Sequence, residues 1–179
     1  MTDARHWHAD ETLRDGSPIT FRAVRPDDKE RLAKAFAGLE RESVYKRFFR
    51  YRDTLDDAEL DVVDRLDFVH DVMLVVTRGT GPDETVIASG RYIEHDGPPG
   101  ERVAEVAFTV EEDYAGNGIA KRLLAHLARL ARAQGIVRFD ADVLADNGAM
   151  LAVFGRSGFP IERRRDGGVV HVTLDLDRG

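Results

Sequence analysis

The chain has 179 residues, 42% of them hydrophobic and 33% charged, which predicts one globular domain with a core of its own. Its net charge of -7 argues against a nucleic-acid-binding protein, which needs a basic surface, and the absence of cysteine excludes thiol catalysis, disulfides and thiolate metal sites. The sequence has no apolar run of the signal-peptide or membrane-spanning kind, which predicts a cytoplasmic protein without a membrane partner.

The first residues that carry a clear pattern predict a hairpin. An Asp15-Gly16 turn separates a short polar arm from an alternating apolar strand at residues 19–23. We therefore predict an N-terminal arm at residues 1–17, which is partly flexible, and one domain at residues 18–179. Pro26 then ends the strand.

Helical spacing follows this strand. The apolar residues after Pro26 recur every three or four positions, and carboxylates at Asp27 and Asp28 suit the first turn of a helix. Helices are predicted at residues 31–39, 43–51 and 56–66.

The second half of the chain alternates strands and helices. Three apolar or alternating runs, at residues 73–77, 85–94 and 103–110, predict a three-stranded meander, because turns with glycine or proline separate them. An amphipathic helix follows at residues 118–133. The remaining predicted elements are a strand at 137–143, a short helix at 147–157 and two strands at 161–164 and 169–174. This order predicts an α/β protein with a mixed, mostly antiparallel sheet flanked by helices.

A glycine-rich turn joins the last meander strand to the amphipathic helix, in the segment EEDYAGNGIAKRLL at residues 111–124. The backbone N–H groups of such a turn point at one place, and the helix dipole adds partial positive charge there. The segment therefore predicts an anion site that suits a phosphate. Many helices begin at a glycine turn without a ligand, so the rest of the chain has to decide between these interpretations.

The order of elements resembles the GNAT superfamily of acyl-CoA-dependent N-acetyltransferases over residues 18–176. The loop signature of that family is Gln or Arg, two residues, Gly, one residue, and Gly or Ala. It falls on Ala115, Gly116, Asn117, Gly118, Ile119 and Ala120. The resemblance implies that backbone N–H groups of these residues hold the pyrophosphate of acetyl-CoA. Ala115 departs from the signature, so a side-chain contact is lost there.

The resemblance also implies a GNAT-type sheet that is splayed between its fourth and fifth strands, counting the strand at residues 19–23 as the first. The cofactor lies in this splay. Its pantetheine arm is then expected to pair with the backbone of Phe108, Thr109 and Val110 in the manner of an added strand.

Two residues of the next helix match further family positions. Asn147, at the helix start, is expected to contact the pantetheine or to order the splay. Phe154 stands where the family often has a tyrosine that protonates the departing thiolate, and a phenyl ring cannot donate a proton. No general acid is therefore assigned.

Glu105 is the candidate general base, because an amine at neutral pH is mostly protonated and has to lose a proton before it attacks a thioester. It lies in the strand at residues 103–110, with Ala107 and Thr109 on its own face. Apolar neighbours are expected to remove water from the carboxylate, and many family members use a glutamate from this strand. The alternatives are an edge-strand glutamate that faces water, or one paired with Arg102.

The runs LRDGSPITFRAVRPDD, ESVYKRFF and FVHDVMLVV are similar to bacterial protein-lysine acetyltransferases of the Pat type. The resemblance implies direct acetyl transfer to a primary amine, a protein lysine, and no cysteine is present to hold the acetyl group. A basic and aromatic cluster at residues 47–52 is a candidate lining for the acceptor groove. The alternatives are a small-molecule amine or amino acid as acceptor, or a catalytically silent CoA-binding sensor. A homodimer stays open.

No metal site is predicted. His6, His8 and Asp10 lie in a polar terminus, where such residues are mostly solvated. His70 and His126 are single histidines, which are mostly hydrogen-bonded structural residues.

Overall fold

A computed structural model describes residues 4–37, 61–110 and 118–178, and its main feature is an eight-stranded sheet. The strand order is β1-β2-β3-β4-β5-β6-β8-β7. Neighbouring strands are antiparallel except β5 and β6, which are parallel. The strands are β1 (His8–Thr12), β2 (Pro18–Ala23), β3 (Asp71–Arg78), β4 (Thr85–His95), β5 (Val103–Val110), β6 (Arg138–Leu144), β7 (Ile161–Asp166) and β8 (Val169–Asp175). The predicted mixed, mostly antiparallel sheet is confirmed.

The described helices also follow the predicted order. They are α1 (Lys29–Ala37), α2 (Val62–Arg65), α3 (Ile119–Ala133) and α4 (Gly148–Gly155). α1 begins earlier than predicted, because a 3-10 turn at Pro26–Asp28 leads directly into it. The helix predicted at residues 43–51 and the cluster at 47–52 lie outside the described residues. Of the helix predicted at 56–66, the described part is helical at Val62–Arg65. None of the described helices is long and apolar enough to cross a bilayer.

α3 packs on one face of the sheet and forms the core with it. Its apolar stripe places Leu123, Leu124 and Leu127 in the interior, each at most 1% exposed. The helix can approach β4 because position 90 is glycine. A Cβ atom there would lie 2.9 Å from the Phe108 ring and 3.0 Å from Leu127. Gly90 thus sets the distance between the sheet and α3.

A buried ion network fixes the start of α1 to the sheet. The Arg22 guanidinium of β2 donates two hydrogen bonds to Asp28, at 2.7 and 2.8 Å. Arg31 donates a further bond to Asp28 at 2.9 Å, and Glu84, before β4, lies 3.3 Å from Arg22. The network joins three parts of the chain that are distant in sequence.

A second set of contacts joins β1 to α3. His126 Nε2 lies 2.6 Å from Glu11 Oε2, and Arg122 lies 3.4 Å from the same carboxylate. The imidazole also packs between the rings of Trp7 and Phe21, with centroid distances of 4.9 and 5.0 Å. His126 is therefore a hydrogen-bonded structural residue, as predicted.

Candidate active site

β5 and β6 separate after a short parallel contact. Three residue pairs join them, and the last is Glu105 with Asp140. β5 pairs with β4 along its whole length, so residues 106–110 have a described strand partner on one side. The space beside residues 106–110 and the later part of β6 is called the β5–β6 gap below. It is about 16 Å long at ~3.3 Å per residue, and it is the predicted splay.

Arg102, just before β5, donates a hydrogen bond to the Gln134 carbonyl at the end of α3, so the start of this helix lies toward the open end of the β5–β6 gap. Gly118 is the residue before this helix and has a φ of +75°, a left-handed conformation that favours glycine. Ile119 is buried and Ala120 is half-buried. No acidic side chain lies in the first turn of α3, so its positive dipole end is not offset from within that turn. The other signature residues, Ala115, Gly116 and Asn117, lie outside the described residues.

The predicted pantetheine-contact residues border the gap. Phe108 is buried, whereas Thr109 and Val110 are half-buried. The Phe108 ring lies 6.1 Å from that of Phe154, which is 1% exposed, so these two residues form part of the core behind the gap. Asn147 caps α4, and its side-chain oxygen accepts a hydrogen bond from the Met150 N–H at 3.2 Å.

Glu105 lies at the closed end of the β5–β6 gap. It belongs to a row of residues at the same level in successive strands, whose side chains point to the face opposite α3. The row, called the Glu105 row below, is Asp71, Ile93, Glu105, Asp140, Thr173 and Glu162. Sequence reasoning identified Glu105 alone. The others carry no local signal, because strand register across the sheet brings them together.

The carboxylates of the Glu105 row differ in their partners. Asp71 receives two hydrogen bonds from Arg91, at 2.7 and 2.6 Å. Asp140 lies 3.1 Å from His95 Nε2. Glu105 is exposed, and none of the described residues forms a hydrogen bond or ion pair with its carboxylate. A carboxylate without a described partner is thus available at the closed end of the gap.

The alternatives for Glu105 are met only in its exposure to water, and its expected burial needs correction. β5 lies inside the sheet, so Glu105 is not on an edge strand. Arg102 does not pair with it, because Arg102 makes two hydrogen bonds of 2.7 Å with Glu94. Apolar neighbours do not bury it either. The side chains on its own face of β5, Ala107 and Thr109, are short and leave the carboxylate open within the described part of the chain.

His70 has a different role. Its Nδ1 lies 2.8 Å from Asp67, which also accepts backbone N–H bonds from the residues that follow it. Burial acts to raise the pKa of Asp67, but these hydrogen bonds outweigh it and lower the pKa to about 2. The pair therefore orders the turn before β3.

Residues 38–159 match the family described as the acetyltransferase (GNAT) family. The chain is 35% identical to Acetyltransferase Pat of Mycolicibacterium smegmatis over 165 residues, which are 92% of this chain and 47% of that protein. The chain thus spans about half the length of this relative.

Solved structures give the same fold. The GNAT domain of S. lividans PAT is 36% identical, with a TM-score of 0.85, over 94% of this chain and 97% of that one. The yncA protein of Salmonella typhimurium, solved with its cofactor acetyl-CoA, has a TM-score of 0.71 at 18% identity, over 90% of this chain and 95% of that one. At 18% identity, the similarity to the Salmonella typhimurium structure shows the fold alone.

Proposed function

This chain belongs to the GNAT family of acetyltransferases, and we propose that it transfers the acetyl group of acetyl-CoA to the side-chain amine of a protein lysine, with Glu105 as the base. The closed end of the β5–β6 gap carries the proposal. β5 and β6 last pair at Glu105 and Asp140, and the Glu105 carboxylate is exposed there without a described partner.

The gap fits the cofactor because one edge of β5 has backbone groups without a described strand partner at residues 106–110. The pantetheine arm contains two amides, which can bond such an edge in place of a strand. The backbone N–H groups at residues 115–120 are expected to hold the pyrophosphate at the open end of the gap. An arm that enters from that end brings its thioester to the closed end, beside Glu105.

Acetyl-CoA, when bound, supplies an acetyl group activated as a thioester. Glu105 accepts the surplus proton of the acceptor ammonium, which frees the lone pair of nitrogen. The nitrogen–carbon bond then forms, the nitrogen loses its second proton to solvent, the carbon–sulfur bond breaks, and CoA leaves as a thiolate that solvent protonates. Phe154 cannot donate this proton. Holding both reactants at one place supplies much of the rate.

A lysine acceptor is supported by charge and by similarity. The Glu105 carboxylate is exposed at the closed end without a described partner, and a charge of this sign attracts a cationic amine. The similarity to Pat agrees with the lysine-directed type that the sequence resembles. The cytoplasmic location and the homodimer stay predictions.

Glu105→Gln tests the proposal, with Glu162→Gln as the matched control. Glu162 lies in the same row, three strands or about 14 Å away on β7. We expect Glu105→Gln to reduce kcat/KM for a lysine peptide about 100-fold or more, because a general base contributes at least that much. Glu162→Gln should keep wild-type activity. Acetyl-CoA should still raise the melting temperature of both variants.

The other outcomes separate the alternatives. Full activity of Glu105→Gln would remove the base assignment. Transfer to a small amine that far exceeds transfer to the peptide would favour the small-molecule acceptor. Thermal stabilisation by acetyl-CoA without turnover on any amine would favour the silent sensor.

A further inference from the structure

Ile93 is an apolar residue in an otherwise polar row. It lies directly opposite Glu105 in the β4–β5 register and directly opposite Asp71 in the β3–β4 register. Its side chain is 40% exposed, and it is the one large hydrophobic side chain that is exposed among residues 4–37, 61–110 and 118–178. A single exposed apolar residue is ordinary on a protein surface. Ile93 lies beside the proposed base, so it can contact an acceptor whose amine faces Glu105.

The surroundings of Ile93 limit what can lie on it. On the β3 side, Arg91 and Asp71 satisfy each other through two hydrogen bonds, so this pair offers no free charge to a ligand. On the β5 side, Glu105 offers a free carboxylate. Neighbouring strands are about 4.8 Å apart, so the Ile93 side chain forms an apolar surface about one strand wide. This surface lies between the Glu105 carboxylate on β5 and the carboxylate of Asp71 on β3.

We propose that Ile93 is a specificity-determining residue, on which the aliphatic stem of the acceptor packs while its amine faces Glu105. This inference rests on the proposed function. The acceptor class is a primary amine on an unbranched aliphatic stem, as in the side chain of lysine, whose methylenes commonly lie on apolar surface while the charged end stays polar.

The same geometry disfavours the α-amine of an amino acid. The nitrogen of such an amine is bonded directly to a branched carbon that bears the carboxylate, so no methylene stem covers Ile93 when the nitrogen faces Glu105. Its carboxylate would also lie near the carboxylates of Glu105 and Asp140, which occupy adjacent strand positions. Like charges at this distance repel each other.

The proposal is tested by measuring how acetyl transfer depends on the length of the aliphatic stem of the acceptor. Unbranched primary alkylamines that differ by one methylene are assayed as acceptors with the wild-type chain, Ile93→Val and Ile93→Thr. Threonine has nearly the shape of valine and suits a strand, but it replaces a methyl with a hydroxyl. A fully buried methylene changes an equilibrium about fourfold, and a methylene on a half-exposed residue less.

We expect kcat/KM to rise with stem length for the wild type and Ile93→Val, and to rise clearly less steeply for Ile93→Thr. The KM for a lysine peptide should increase severalfold in Ile93→Thr, whereas kcat and the KM for acetyl-CoA stay the same. Misfolding of Ile93→Thr would instead change kcat and both KM values. If the wild type transfers acetyl groups and Ile93→Thr shows the same dependence on stem length, the inference is overturned and the proposed function stands. No transfer by the wild type to any amine overturns the proposed function, and the inference with it.

Discussion

The buried ion pair of Arg22 and Asp28 is predicted to stabilise the contact between α1 and the sheet, and Asp28→Asn tests this. Asp28 is 0% exposed, and it accepts two bonds from Arg22, one from Arg31 and one from the Arg25 N–H at 2.7 Å. Asp28→Asn keeps the shape but turns an NH2 group toward these donors. We expect the free energy of unfolding to fall by about 3–5 kcal/mol, because the buried Arg22 guanidinium loses the carboxylate that it bonds twice and keeps only Glu84, at 3.3 Å.

Asp27→Asn is the matched control. The Asp27 side chain is 64% exposed, and it lies 3.5 Å from Arg25 and 3.7 Å from Arg31. An exposed pair of this kind contributes about 0–1 kcal/mol. Urea unfolding followed by circular dichroism measures both variants, and the melting temperature of Asp28→Asn should fall by roughly 6–20 °C. Equal losses in the two variants would refute the reasoning.

The pH dependence gives a second check on Asp28. Burial acts to raise its pKa, but hydrogen bonds from Arg22 and from the Arg25 N–H outweigh it and hold the pKa below the ordinary value of 3.8. A carboxyl with a lowered folded-state pKa stabilises the protein above its unfolded pKa, and this stabilisation is lost as pH falls through the folded value. The difference between wild type and Asp28→Asn should be full near pH 7 and shrink below about pH 4.

Two further predictions concern the packing of α3. Gly90→Ala should lower the free energy of unfolding by about 1–3 kcal/mol, because the added Cβ would lie 2.9 Å from the Phe108 ring; Gly148→Ala, where the Cβ meets open space, should not. Chemical denaturation compares these two, and equal losses would contradict the close approach. Glu11→Gln should cost about 1.5 kcal/mol, because the bond to His126 loses its charge. Hydrogen exchange should then be faster in the amides of β1, and unchanged exchange would count against this contact.

The sheet and its main helix follow from local pattern. Apolar or alternating runs predicted β3, β4 and β5, and the apolar stripe of residues 118–133 predicted α3, since each pattern lies within one element. The helix start predicted at Asn147 is also observed, because asparagine is a preferred N-cap and its side chain caps α4, whereas its contact with the pantetheine stays a prediction.

The spatial neighbours of Glu105 could not be predicted from local sequence patterns. Its neighbours Ile93 and Asp140 are 12 and 35 positions away along the chain and meet it through strand register. The predicted loss of water around the carboxylate was wrong for the same reason. Alternation along one strand shows which face a residue occupies, whereas the strands on either side decide how open that face is.

The short parallel contact between β5 and β6 also divides the sheet into two antiparallel units, β1 to β5 and β6 to β8, which three residue pairs join. On the proposed function, a bound pantetheine arm bridges this seam along residues 106–110. A ligand that binds the folded chain at 100 times its dissociation constant adds about 2.7 kcal/mol of stability. The seam should open more often when acetyl-CoA is scarce, and an opened seam exposes backbone to proteases. The lifetime of this protein in a cell should therefore follow the supply of acetyl-CoA.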